Sequence, residues 1–124
     1  MNNHIETKEV KKVIQNYVDG TYEADIEKLK GVFHGKAVMN GYLGPDLLIA
    51  DPTPFIEDIA SSPSMKSNGD PYQAEIESIN IEGNVASVIV SETGFRGEAS
   101  LVDLFHLIKV DGKWYIISKL FTTV

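Results

Sequence analysis

Four apolar segments separated by short turn signals fill the second half of the chain, and this pattern restricts the fold more than any other feature. The segments are YQAEIESINIE, NVASVIVSETGF, ASLVDLFHLIKV and KWYIISKLF. The dipeptides GN, RG and DG that separate them are typical of tight turns between β-strands. We therefore predict an antiparallel meander of four strands, in which VASVIV is apolar on both faces and forms a central strand.

The first half of the chain predicts three helices and a short hairpin. Apolar residues recur at helical spacing between Glu9 and Val18, and the dipeptide DG that follows is a helix stop. A second, shorter helix is expected to start near Asp25 and to end close to His34. Next, KAVMNGYLGPDLLIA predicts two short strands around a turn, and DPTPFIEDIASS predicts a third helix. The stretch SSPSMKSNGDP, residues 61–71, predicts a long loop that is a candidate lid.

Length and composition limit the class of protein. The 124 residues are expected to form a single domain, residues 1–124. The formal net charge is -7 and Arg96 is the only arginine, so we predict no nucleic-acid partner. The absence of cysteine excludes disulfides and thiolate catalysis. No apolar run approaches the ~20 residues of a membrane span, and the first residues lack a signal-peptide core, so we expect a cytoplasmic protein without a membrane partner.

The DG dipeptide before the final segment predicts the register of the last two strands. A two-residue turn places Val110 opposite Lys113, and counting outward places His106 opposite Ile117. One predicted face then carries Val102, Leu104, His106, Ile108, Tyr115, Ile117, Lys119 and Phe121. The other predicted face carries Asp103, Phe105, Leu107, Lys109, Trp114, Ile116, Ser118 and Leu120.

Both of these faces are too apolar to be left in water, so one must cover the helices and the other must be buried in another way. Self-association through the sheet is the simplest way to bury it. We therefore predict a homodimer that forms through the outer face of the sheet. Its predicted contacts are Phe105, Leu107, Trp114 and Ile116.

The order of three helices, a short hairpin and a meander ending in DGKWYIISKLF resembles the nuclear transport factor 2-like superfamily. This is the cone-shaped α+β fold of ketosteroid isomerases and SnoaL-type cyclases. Within it, VIQNYVDGTYEADIEKLKGVFHGKAVMNG, IESINIEGNVASVIV and DLFHLIKVDGKWYIISKLF are similar to the putative lumazine-binding family. The resemblance implies that position 106 faces the interior of the cone. The face with His106, Lys119 and Phe121 would then line the pocket, and the face with Trp114 would form the dimer.

The resemblance also implies where isomerase residues would lie. The isomerases of the superfamily use a tyrosine on the first helix, a carboxylate base on the first strand and a protonated aspartic acid on a later strand. These roles fall on Tyr17, on Asn40 or Gly41, and on His106. Neither asparagine nor glycine can take a proton from carbon, so isomerase chemistry by that mechanism is not expected.

Three side chains are the candidates for acid–base chemistry. His106 and His34 titrate near neutral pH, and Tyr17 can donate a hydrogen bond to a ligand oxygen. Each also has an ordinary structural explanation. His34 could favour the negative end of the helix dipole, His106 could be buried against a backbone carbonyl, and Tyr17 could be a core tyrosine.

An inward Lys119 would indicate a polar or anionic group on the ligand, because a buried ammonium is costly without a partner. The alternative is that the side chain reaches solvent from the edge of the strand. By parity Asp103, the nearest acidic neighbour in the paired strand, is expected on the opposite face. The histidines lack a third partner at metal-ligand spacing, so we predict no metal site and no cofactor.

These inferences lead to an α+β protein that binds a small organic molecule in a largely apolar pocket. A flat or polycyclic, lumazine-like ligand is the expected occupant. An isomerase, dehydratase or cyclase using the same cavity is the first alternative, and a dimerisation module without catalysis is the second. The predicted ligand-binding residues are Tyr17, Phe33, His34, Met39, Phe55, His106, Ile117, Lys119 and Phe121.

Overall fold

The computed structural model describes residues 3–124, which form four helices and six strands. The helices are α1 (Asn3–Glu23), α2 (Ile26–Val32), α3 (Thr53–Ala60) and α4 (Met65–Asn68). The strands are β1 (Phe33–Leu43), β2 (Asp46–Ala50), β3 (Gln73–Glu82), β4 (Val85–Phe95), β5 (Ala99–Val110) and β6 (Lys113–Thr123). This order confirms the predicted α+β class with its terminal meander of four strands.

All six strands belong to one mixed sheet in the order β2-β1-β6-β5-β4-β3. Every neighbouring pair is antiparallel except β1 and β6, which run parallel and bring Met39 beside Lys119 and Gly41 beside Phe121. The helices pack on one face of this sheet, where they cover its buried residues. The core lies between α1 and the inner face of the meander.

One helix prediction and one loop prediction need correction. The DG dipeptide does not stop α1, because Gly20 lies inside the helix and its missing side chain lets Leu29 of α2 pack closely. The turn comes later, at Ala24, and Asp25 then caps α2 by accepting a hydrogen bond from the Lys28 amide at 3.1 Å. The stretch 61–71, predicted as a loop, contains α4, where Ser64 caps the helix and Met65 is buried.

The predicted register of β5 and β6 is correct for the pairs beside the turn and wrong for the pairs beyond them. Val110 lies opposite Lys113 and Leu107 opposite Ile116, but the register then shifts and His106 lies opposite Ser118. The shift is a β-bulge at Ile117, and an extra residue in one strand reverses the faces of all the residues that follow it. Lys119 therefore lies opposite Phe105 instead of Leu104.

The predicted dimer contacts are wrong, because the face that carries them is the inner face of the sheet. Phe105, Leu107, Trp114 and Ile116 are between 0% and 3% exposed and belong to the core beneath the helices. They cannot meet a second chain without unfolding this one. The face that is left open carries exposed apolar side chains from five strands. We call it the outer apolar face: Val38, Tyr42, Ile49, Ile89, Leu104 and Leu120.

Candidate functional site

A cavity of about 290 Å³ lies between the helices and the part of the sheet beyond the bulge. Helices α1 and α3 contribute Tyr17 and Phe55, while β1 and β6 contribute Met39 and Phe121. The remaining lining residues are Leu43, Asp46, Leu47, Leu48, Pro54, Asp58, Glu92, Phe95, Leu101 and Lys119. Apolar side chains form most of this wall, as in small-molecule sites generally.

The most unusual lining residue is Lys119, which is 4% exposed. Its ammonium group donates a hydrogen bond to the Tyr17 hydroxyl, with an Nζ–Oη distance of 2.5 Å. The same nitrogen lies 4.9 Å from the ring centre of Tyr17, 4.7 Å from that of Phe55 and 5.0 Å from that of Phe121. Each ring attracts a cation over its face, so the three rings together offset part of the free-energy cost of burying the ammonium.

Asp103 lies behind Lys119 and is 0% exposed, with 3.9 Å between Oδ1 and the ammonium nitrogen. Neither of its carboxylate oxygens has a hydrogen-bond partner within the described residues. Burial raises the pKa of Asp103 well above its usual range; Lys119 opposes that rise and Glu92 adds to it. The expectation that Asp103 and Lys119 lie on opposite faces is wrong, because the bulge turns Lys119 to the inner side.

Glu92 of β4 brings a second buried carboxyl group to the cavity and is 3% exposed. The hydroxyl of Tyr72 donates a hydrogen bond to it and so fixes its orientation. Burial, together with the charge and hydrogen bond of Glu92, raises the pKa of Tyr72 far above its usual value. Burial likewise raises the pKa of Tyr17, with a smaller contribution from Asp103 and then Glu92, so both tyrosines remain phenols.

Sequence reasoning passed over Glu92 and Tyr72, although one signal for Glu92 was available. Along β4, Ala86, Val88 and Val90 are buried at every second position, and Glu92 continues that alternation inward. An acidic residue at the end of a buried alternating run is therefore a better indicator of this site than the histidines.

Neither histidine lines the cavity. His106 is exposed on the outer side of the sheet, because that face of β5 points away from the helices. His34 is partly exposed; its Nδ1 accepts a hydrogen bond from the Lys36 amide at 3.0 Å, and its ring packs edge-on against Tyr115 at 5.7 Å. The prediction that either residue acts inside the pocket is wrong in geometry.

The other predicted pocket residues divide into two groups. Tyr17, Met39, Phe55, Lys119 and Phe121 all line the cavity, and their role in ligand binding stays a prediction. Two other residues do not line it. Phe33 is a core residue packed edge-on against Tyr17 at 6.2 Å, and Ile117 sits on the bulge.

Positions 40 and 41 hold no carboxylate base. The amide oxygen of Asn40 accepts a hydrogen bond from the Ala50 amide at 3.1 Å, which ties β1 to β2. At Gly41 an added Cβ would lie 2.0 Å from the carbonyl oxygen of Phe121, so this position must remain glycine. The structure thus supplies its acidic groups from β4 and β5 instead of β1.

An ion pair holds the rim of the cavity. Arg96, in the turn between β4 and β5, contacts Asp58 of α3 with 2.6 Å between Nη2 and Oδ2. Its backbone amide also donates a hydrogen bond to the Met65 sulfur at 3.2 Å. This turn therefore fastens α3 and α4 to the sheet beside the cavity. The stretch 61–71 itself contributes no residue to the cavity wall.

Within residues 3–124, no cluster of three or more histidine, aspartate and glutamate side chains could hold a metal ion. In the same part of the chain, no helix is both long and apolar enough to cross a membrane.

Sequence comparison identifies one family. A family described as putative lumazine-binding matches residues 5–122, which is nearly the whole chain. No curated protein matches the sequence significantly.

Structural comparison finds the same fold in many solved structures. A nuclear transport factor 2-like protein of unknown function from Shewanella baltica OS155 is 24% identical, with a TM-score of 0.86 over 100% of this chain and 98% of that one. Another from Silicibacter pomeroyi DSS-3 is 21% identical, with a TM-score of 0.88 over 100% of both chains. A ketosteroid isomerase-like protein from Erwinia carotovora atroseptica is 17% identical, with a TM-score of 0.70 over 98% of both chains.

Proposed function

Since this chain belongs to the putative lumazine-binding family of nuclear transport factor 2-like proteins, we propose that its cavity binds a flat, small organic molecule with hydrogen-bonding groups at one end. The observation that carries the proposal is Lys119, a buried ammonium group that lines an otherwise apolar cavity. A core built for stability alone gains little from such a residue, because apolar side chains of similar volume are often neutral or stabilising.

The cavity suits a ligand of modest size with an aromatic or polycyclic body. Its volume of about 290 Å³ lies just below the usual range for small-molecule sites, roughly 300–1,000 Å³. Phe55, Phe95 and Phe121 contribute ring faces and edges to the wall. Flat apolar molecules pack favourably against such rings in stacked or edge-on arrangements.

The buried end of the cavity offers both a donor and an acceptor. Lys119 has three N–H groups and uses one of them on Tyr17, so another can reach a ligand oxygen. Glu92 lines the same cavity and has a second carboxylate oxygen besides the one that accepts from Tyr72. A heterocycle that carries carbonyl and N–H groups along one edge, as lumazine does, would satisfy both residues.

Binding of lumazine by titration calorimetry tests this proposal. We expect Lys119→Met to weaken binding by roughly tenfold to a hundredfold, the loss of one hydrogen bond to a charged group. His106→Ala, an exposed change on the other side of the sheet, is the matched control and should bind as the wild type does. Thermal unfolding of both variants checks that they fold. A wild type that binds neither lumazine nor any other flat heterocycle would contradict the proposal.

We also propose that the protein is a homodimer that forms through the outer apolar face. Exposures there range from 38% for Ile89 to 75% for Ile49, and the six side chains lie on one continuous side of β2, β1, β6, β5 and β4. A contiguous apolar surface on a sheet of this size is typical of a contact between subunits. The proposal keeps the predicted association through the outer side of the sheet, but its contact residues are those of the outer apolar face.

A further inference from the structure

We propose that Lys119 captures an apolar aldehyde or ketone as an imine inside the cavity, with Asp103 as the group that takes and returns the proton. The inference rests on the proposed function, since the carbonyl compound must first enter the same cavity. It is carried by the juxtaposition of a primary amine that lines an apolar cavity with a buried carboxyl group 3.9 Å behind it.

Lys119 differs from every other lysine in the chain. It is 4% exposed and lines the cavity, whereas the other nine lysines are partly or fully exposed on the surface. A lysine surrounded by apolar groups is a recognised nucleophile toward carbonyl carbon once it has lost its proton. Lys119 is therefore the preferred lysine for the reaction.

Asp103 provides a place for the proton. No donor among the described residues occupies either of its carboxylate oxygens, so one of them can accept the proton and share it with Glu92 through a side-chain hydrogen bond. Transfer from the ammonium to this carboxylate replaces two buried charges with two neutral groups, which the interior favours. The raised pKa of Asp103, caused first by burial, acts in the same direction.

The covalent steps balance without an oxidant or a reductant. After the proton moves to Asp103, the neutral amine nitrogen adds to the carbonyl carbon, and a proton from nitrogen passes to the new oxygen to give a carbinolamine. Asp103 then returns its proton to that hydroxyl group, which leaves as water while the nitrogen lone pair forms the C=N bond. The product is a protonated imine beside an ionised Asp103.

The rings around Lys119 suit this product as well as the starting amine. The protonated imine keeps one positive charge on the same nitrogen, which lies between 4.7 and 5.0 Å from the ring centres of Phe55, Tyr17 and Phe121. Attraction between a cation and these ring faces therefore stabilises the product as it does the starting ammonium. The apolar wall at the same time limits the water that would hydrolyse the imine.

Trapping with 2-naphthaldehyde and cyanoborohydride tests the inference on the wild-type protein. Reduction converts an imine into a stable naphthylmethyl amine, which peptide mass spectrometry locates on the chain. We expect Lys119 to be labelled at least about tenfold faster than any surface lysine, since the cavity holds the aldehyde beside it. Binding of 2-naphthalenemethanol, which cannot form an imine, is measured in parallel by its fluorescence.

The two measurements separate the imine from the binding site. If the alcohol binds and the label spreads over surface lysines without reaching Lys119, imine capture is wrong and the proposed function stands. If neither compound enters the cavity, imine capture is wrong, and lumazine binding decides the proposed function separately. Asp103→Asn gives a second check, because removal of the proton acceptor should slow labelling of Lys119 by about a hundredfold while the alcohol still binds. An Asn variant that is labelled at the wild-type rate would overturn the role of Asp103.

Discussion

Each face of the sheet carries a few side chains that an ordinary half-solvated sheet does not place there. On the inner face, Lys119, Asp103 and Glu92 are buried among the core residues. On the outer face, apolar side chains such as Leu104 and Leu120 are 42% and 49% exposed. Antiparallel sheets more often place apolar residues inside and polar residues outside. These exceptions indicate that neither face is optimised for an isolated chain: the inner charges suit a ligand and the outer apolar groups suit a partner.

Truncation of neighbouring residues on the two faces gives the largest expected contrast. Phe105→Ala removes a fully buried ring that packs edge-on against Tyr17 at 5.1 Å, and we expect it to lower the free energy of unfolding by about 3–5 kcal/mol. Leu104→Ala, on the outer face, should cost about 1 kcal/mol or less. Urea unfolding of both variants measures the difference. Equal losses would mean that the face assignment beyond the bulge is wrong.

A charge placed on the outer apolar face tests its use as a dimer contact. Leu104→Glu is expected to weaken dimerisation by about 2 kcal/mol or more, roughly thirtyfold, because the carboxylate must be buried or the contact must open. Sedimentation velocity at micromolar concentration measures the association. Ile5→Glu is the matched control and should leave the dimer intact. Ile5 is 62% exposed and lies on α1, which is not part of the sheet. A wild type that sediments as a monomer would refute the dimer.

On the inner face we expect a smaller effect, a dependence of the free energy of unfolding on pH. The pKa of Asp103 is raised in the folded state, so its protonated form favours folding below the unfolded pKa of about 4, and that contribution is lost as the pH rises through the folded value. Asp103→Asn should therefore gain stability relative to the wild type from pH 4 upward, by about 1.4 kcal/mol for each unit that separates the two pKa values. Unfolding curves across this range measure it. A constant difference would show that Asp103 titrates normally.

The sequence predicted the fold well because its signals are local. Turn dipeptides and alternating apolar residues define the meander, and the register beside the DG turn is correct at Val110 and Lys113. The bulge at Ile117 was not predictable, because nothing in WYIISKL marks an extra residue: there is no glycine or proline, and every residue there suits a strand. One unmarked residue was enough to exchange the inner and outer sides of β6 beyond it.

The missed bulge also led to errors in the predicted residues of the candidate site. His106 was placed inside through the implied superfamily position, and Lys119 followed it by parity; the bulge separates the two, leaving Lys119 inside and His106 outside. Asp103 was set aside for the same reason. Tyr17 was placed correctly because helical spacing on α1 needs no pairing register. Buried polar residues whose position depends on long-range pairing are thus the ones that sequence reasoning located least well.

The parallel pairing of β1 with β6 also determines when the site can exist during folding. Tyr17 and Met39 lie in the first third of the chain, whereas Lys119 and Phe121 lie in the final strand, and the hydrogen bond from Lys119 to Tyr17 joins residues 102 positions apart. Contacts of such separation form late and slow folding, because a long loop must close before they contribute. A chain emerging from the ribosome therefore has no complete cavity until β6 has docked, so the cavity exists only once the fold is complete.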